Sequence, residues 1–230
     1  MTLTPHQRAL RSTVALKVLM ALTGLIMVGF LLVHMFGNLK VFLGPEEFDH
    51  YAHWLKVEVL APFLPEGWFI WIFRTAMLAA IVIHAYCAAT LWRRALDASS
   101  SKYVTTNRLA QTYAARTMRW GGVILLGFLI FHLLQFTAQV VTTGFDRGAA
   151  PYEMVIATFS QWWLVLAYGL WVVVVCMHVR HGVWSALATL GANTSPNARA
   201  LLNSLAWVIA VLLFAGFMVM PVAVLFGWVG

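Results

Sequence analysis

The chain has 230 residues, of which 62% are hydrophobic and only 10% charged, with 8 histidines and a formal net charge of +7. A mean hydropathy of +0.82 over that length excludes a soluble globular domain, because long uncharged apolar runs are the signature of membrane spans. The two cysteines, Cys87 and Cys176, lie inside apolar runs as small packing residues, and the lack of a Cys-x-x-Cys-His motif excludes covalent c-type haem attachment.

The first apolar run, about 14–38, is long enough to cross a hydrocarbon core of roughly 30 Å and carries His34 in LIMVGFLLVHMF. It leads into further spans without a small-residue cleavage site, so it is expected to be a helix of the mature protein and not a signal peptide. Gly44-Pro45 and Pro62 break the chain after it. Between them lie His50, His53 and Glu58; the histidines, like His6, are expected to be solvated. The second run, about 68–92, carries His84, with Trp68, Trp71 and Trp92 near its ends as interfacial anchors. The polar stretch Asp97–Asn107 separates it from the third run, about 120–141, which carries His132 in ILLGFLIFHLL. The fourth, about 161–187, holds His178 and His181, with Trp162, Trp163 and Trp184 as further belt residues. Thr194-Ser195-Pro196-Asn197 predicts a turn and a helix start before the fifth run, about 201–227. The expected fold is an all-α membrane protein, a single transmembrane domain of five helices over residues 1–230.

Charge assigns the orientation. With the N-terminus in the cytoplasm, the inside segments hold Arg8, Arg11, Lys17, Arg93, Arg94, Lys102, Arg108, Arg116, Arg119, Arg180 and Arg199, and the outside segments only Lys40, Lys56, Arg74 and Arg147. Lys and Arg set topology, so the N-terminus is expected inside and the C-terminus outside. The same distribution explains the positive balance without a nucleic-acid partner; the lipid bilayer is the partner it implies.

An ionisable side chain at membrane depth costs roughly 2.5–3.5 kcal/mol for charged types, so one histidine on each of the first four spans calls for a use. Imidazole is a usual ligand of b-type haem, and four such ligands make two bis-histidine sites. The expected architecture is thus a bundle of four haem-binding helices plus a fifth.

The first and third spans repeat at an offset of 98 residues: Gly24/Gly122, Ile26/Ile124, Gly29/Gly127, Phe30/Phe128, Leu31/Leu129 and His34/His132. The shared glycines predict close approach of a neighbouring helix or a flat macrocycle. The second and fourth spans match more weakly, as His84-x3-Ala88 and His178-x3-Gly182. Depth then pairs the ligands. His34 and His132 lie in the outer half, whereas His84 and His178 lie near 14 and 9 Å from the cytoplasmic boundary at about 1.5 Å per residue. The expected metal pairs are therefore His34 with His132 and His84 with His178. His181, on nearly the same face as His178, is the alternative ligand; His178 lies deeper and has a glycine one turn on, which leaves His181 near the haem edge or the headgroups. Arg93, Arg116, Arg119 and Arg180 serve equally as partners of haem propionates or as topology determinants.

With these residues in place, the chain resembles the cytochrome b membrane-anchor subunits of succinate:quinone oxidoreductases and quinol:fumarate reductases, in particular the single five-helix, di-haem form of bacteria that use menaquinone. The resemblance rests on Thr23-Gly24 followed by Leu32-Val33-His34, Ala52-His53, Ile83-His84-Ala85, Arg119 with Gly122 leading to His132, and His178-x3-Gly182-x-Trp184-Ser185. It covers about residues 15–190, and the ligand spacings of 50, 48 and 46 residues are its most specific part. It implies two haem b groups, pairing of first with third and second with fourth helix, and electron transfer between succinate and a quinone, with menaquinone expected. The implied partners are an iron–sulfur subunit on the cytoplasmic face and an FAD-containing flavoprotein beyond it, at a bacterial cytoplasmic (inner) membrane. Succinate chemistry belongs to those partners, since this sequence has no dinucleotide fingerprint and no cysteine cluster.

The resemblance also places a functional glutamate near Glu58, where a carboxylate facing the outer end of the bundle can exchange protons with quinone; a solvated loop acid is the alternative. The chain departs from the family at Cys176, where some fumarate reductases carry a transmembrane glutamate, so no proton route through that position is expected. The alternatives are a fumarate reductase anchor running in reverse, a di-haem subunit of another respiratory dehydrogenase, a haem-free anchor, and a proton-coupled transporter. The transporter predicts carboxylates among the histidines, and the four histidine-bearing runs contain none.

Overall fold

The computed structural model describes residues 12–61, 63–98 and 113–230, the side chains of 113–117 excepted. His6, Arg8, Arg11, Pro62, Lys102, Arg108 and the side chain of Arg116 therefore lie outside the described residues. The regular elements among those described are all helical: α1 (Thr13–Leu39) running into a 3-10 turn (Lys40–Leu43), α2 (Pro45–Val57), α3 (Trp68–Asp97), α4 (Tyr113–His132) continued by a π turn (Leu133–Thr137), α5 (Pro151–Phe159), α6 (Trp162–Thr189) and α7 (Pro196–Leu225). Five of them, α1, α3, α4 with its π turn, α6 and α7, are long and apolar enough to cross a membrane. The protein is a five-span, all-α membrane protein.

The helix ends follow local chemistry. Ser12 and Ser195 each accept a hydrogen bond at 3.1 Å from the amide three residues on, capping α1 and α7. Pro196 occupies the first turn of α7, where a missing N–H costs nothing. The short helices α2 and α5 were not expected. Each opens on a proline and carries acids in its first turn, Glu46 and Glu47 in α2 and Glu153 in α5, where the helix dipole favours negative charge. Gly44, at φ +95°, makes the turn into α2 with a backbone that a side chain would strain.

The spans pack side by side in the order α3, α1, α6, α4, with α7 against both α1 and α6. Lipid is as apolar as a leucine side chain, so packing and close backbone approach hold these helices together. Accordingly the core lies where α1, α6 and α7 meet, around Met35, Val172, Val179, Val183 and Leu213, with Ala206 and Ala210 letting α7 come close. A second cluster, Val41, Phe48, Phe159, Tyr168, Met220 and Val224, seals the end of the bundle under α2 and α5. There the Asp49 carboxylate accepts from the Tyr152 amide at 2.9 Å, tying α2 to the start of α5. Outward faces carry exposed apolar side chains, among them Ile26, Val33, Leu78, Val123, Ile130 and Val208. Helices α3 and α4 scarcely touch, and the histidine-bearing helices stand diagonally across from one another.

Candidate functional site

Four histidines on α1, α3, α4 and α6 meet in two pairs. The ring centroids of His34 and His132 are 6.0 Å apart, with the planes at 84°. Those of His84 and His178 are 6.3 Å apart, at 61°. These are the partners that depth implies, and the first pair lies at the end of the bundle covered by α2 and α5. Each pair bridges a diagonal, α1 to α4 and α3 to α6, so the imidazoles span a distance that the backbones do not. It is the ring of His178 that faces His84; His181 lies half-buried three residues on, outside the ring pair.

Each ring has its own surroundings. His84 Nδ1 lies 3.1 Å from the Met20 carbonyl and 3.4 Å from Thr23 Oγ1, while Thr23 donates its own proton to Leu19 O at 2.8 Å. Nδ1–H therefore donates to Met20, leaving Nε2 as the bare nitrogen. His132 Nδ1 is 3.3 Å from the Tyr168 hydroxyl. His34 stacks on Phe30, centroids 5.3 Å apart. His178 Nδ1 is buried without a hydrogen-bond partner among the described residues.

Of the glycines repeated between α1 and α4, Gly24 and Gly122 lie against histidine rings. A Cβ at Gly24 would stand 3.3 Å from His84 Cε1, and one at Gly122 would stand 3.9 Å from His178 Cε1. At Gly29 and Gly127 a Cβ would meet no neighbouring helix or side chain within 4 Å among the described residues, so it is the first glycine of each repeat that a histidine ring approaches.

The donor set decides what can bind. Among the described residues no group of three or more His, Cys, Asp or Glu is placed to hold a metal ion. Each pair offers two nitrogens, whereas an ion held by side chains alone needs about four donors. Haem brings its equatorial nitrogens with it and asks the protein only for axial ligands. An imidazole nitrogen lies about 1.2 Å from the ring centre and a metal–nitrogen bond is about 2 Å, so two imidazoles on one iron have centroids about 6.4 Å apart. The two pairs fit that requirement.

Arg119 lies with its guanidinium 5.5 Å from the Trp92 ring, across from α4 to α3 at the end nearer His84 and His178. Arg180 is turned elsewhere: it donates to Asn203 Oδ1 at 2.8 Å and lies 4.9 Å over the Trp207 ring, both on α7. Of the four arginines for which a propionate or a topological role is equally expected, Arg180 is engaged by the fifth span. Glu58 follows the last residue of α2, its carboxylate 3.2 Å from His53 Nδ1, with half its side chain exposed. The expected loop is a helix here, and at its end Glu58 pairs with His53. Cys176 is a buried thiol within the α1–α6–α7 core.

One group of polar residues escapes the sequence reading. Gln135, fully buried, donates to Thr143 Oγ1 at 2.6 Å and Thr158 Oγ1 at 3.1 Å, and accepts from the Tyr168 hydroxyl at 2.6 Å. The available signal was Gln135, one of two glutamines in the third apolar run, and Tyr168, the one tyrosine of the fourth. No family model matches the chain, and no curated protein or solved structure matches it either.

Proposed function

We propose that this chain is the di-haem cytochrome b membrane anchor of a succinate:quinone oxidoreductase, serving electron transfer between an iron–sulfur subunit and a quinone, with menaquinone the expected acceptor. The observation that supports it is the meeting of four intramembrane histidines in two diagonal pairs, each within about 0.4 Å of the separation two imidazoles have on one iron. His34 and His132 would hold one haem b, His84 and His178 the other. Bound there, haem supplies one-electron redox chemistry within an apolar shell that excludes water.

The chain's own residues prepare these positions. The Met20 carbonyl orients His84 so that Nε2 is the free donor, and Gly24 leaves room for that ring beside α1. Arg119 offers a cation to a propionate at the end nearer His84 and His178. With the N-terminus in the cytoplasm of a bacterium, that end faces inward and carries Lys17, Arg93, Arg94 and Arg199, a basic surface suited to docking the iron–sulfur subunit, with the FAD-containing flavoprotein beyond it. Glu58 and His53 stand at the opposite end, where quinone protons would be exchanged.

The test is a reduced-minus-oxidised spectrum of the purified chain, followed by copurification of flavoprotein and iron–sulfur subunits and an assay of succinate-linked menaquinone reduction. Bis-histidine b-type bands and that activity are expected. A chain that takes up no haem when haem is supplied overturns the reading.

A further inference from the structure

Tyr168, buried in α6, stands between two polar groups at the end of α4. Its hydroxyl lies 2.6 Å from Gln135 Oε1 and 3.3 Å from His132 Nδ1. The π turn Leu133–Thr137 follows His132 directly, and Gln135 lies within it fully buried. The two amide protons of Gln135 go to Thr143 Oγ1, on the loop beyond the π turn, and to Thr158 Oγ1, on α5. Those two hydroxyls are themselves 3.1 Å apart, so two further segments hold the amide in one orientation. Its oxygen is left as an acceptor. Tyr168 has a single proton, and the shorter bond commits it to Gln135. The phenolic oxygen then has only lone pairs to offer His132, and Nδ1 must be the donor.

We infer that Tyr168 is a positioning residue for His132, holding the imidazole in the Nδ1–H tautomer that leaves Nε2 free for a metal. This rests on the haem reading proposed above and goes beyond it, since it gives His132 an Nδ1–H acceptor, as the Met20 carbonyl does for His84 in the other pair. Accepting the Nδ1 proton raises the basicity of the ligand, and a more electron-rich ligand favours ferric over ferrous iron. His34 has no hydrogen-bond partner among the described residues, so Tyr168 with Gln135 controls this site through one ligand alone.

The experiment is a redox titration of the purified complex carrying Tyr168→Phe, followed in the visible spectrum, with haem content measured per chain. The haem at His34/His132 should become easier to reduce by about tenfold in its oxidised-to-reduced ratio, about 59 mV for a one-electron couple. It should also be lost about tenfold more readily on dilution with competing apoprotein, while the other haem keeps its potential. If Tyr168→Phe does not assemble, the parental chain grown with 3-fluorotyrosine keeps the volume but weakens the phenolic oxygen as an acceptor, and the same single potential should rise. A complex that holds both haems with both potentials unchanged in the variant, or in the fluorinated parent where the variant fails to assemble, overturns this inference and leaves the proposed function standing. A parental chain that holds no haem overturns both.

Discussion

The ring of His84 lies against Gly24, with its Cε1 3.3 Å from the position a Cβ would take there. The equivalent separation between Gly122 and His178 is 3.9 Å, an ordinary contact. Two glycines that look alike in sequence therefore differ in tolerance. Gly24→Val should displace His84 from the Met20 carbonyl and lower the content of the haem at that pair to below about one-tenth of parental, the scale of losing the hydrogen-bond partner that orients a ligand. Gly122→Ala should leave it unchanged. Haem content and the reduced-minus-oxidised spectrum check both, and equal effects of the two substitutions would refute the asymmetry.

Two haem b groups per chain are expected, by pyridine haemochrome against polypeptide. His34→Ala or His132→Ala should each remove one, and His84→Ala or His178→Ala the other, because each leaves an iron with a single protein ligand. His181→Ala should retain both, since it is the ring of His178 that faces His84. A reproducible content near one haem in the parental chain, with cofactor in excess, contradicts the two-pair arrangement.

The Met35 side chain, one residue after His34, lies directly over Gly216 on α7, so a Cβ at Gly216 would collide with its sulfur. Gly216→Val should destabilise the bundle by about 1–3 kcal/mol, as overpacking does in well-packed interiors. Met35→Ala in the same chain should recover part of that loss, since neighbouring sites couple. Thermal unfolding in detergent measures the cycle. Strict additivity of the two substitutions would show that the contact is not what limits α7 packing.

Glu58→Gln should keep both haems and their reduction by dithionite, yet slow electron exchange with quinone by roughly 10²-fold, the scale of a lost general acid–base. His53, 3.2 Å from the carboxylate, is placed to share this proton exchange, and His53→Ala should slow the same step. Stopped-flow oxidation of the reduced complex by a menaquinone analogue reads both. A parental rate in Glu58→Gln would move quinone chemistry away from this end of the bundle.

Topology is open to direct labelling, because both native cysteines are buried. A membrane-impermeant thiol reagent should reach Lys56→Cys from the outer side and Arg199→Cys only from the cytoplasmic side. The reverse pattern would invert the orientation that the Lys and Arg distribution assigns.

The sequence alone determined five spans, a histidine on each of the first four, and which of these share a depth. That much is legible because helical rise is constant and successive spans reverse direction, so position along the chain converts to position along the bundle axis. Rotation about each axis is another matter. His178 and His181 lie about 60° apart around α6, and only packing against α1, α4 and α7 turns one of them toward His84. The same holds for Gly24 against Gly29, and for Arg180, which α7 takes through Asn203. The short helices α2 and α5 are stabilised by contacts with distant segments, such as Asp49 with the Tyr152 amide. The chain from His132 through Tyr168 and Gln135 to Thr143 and Thr158 joins α4, its π turn, α6, a loop and α5. Hydrogen bonds between segments so far apart in sequence have no periodic signature, and it took the tertiary structure to decide them.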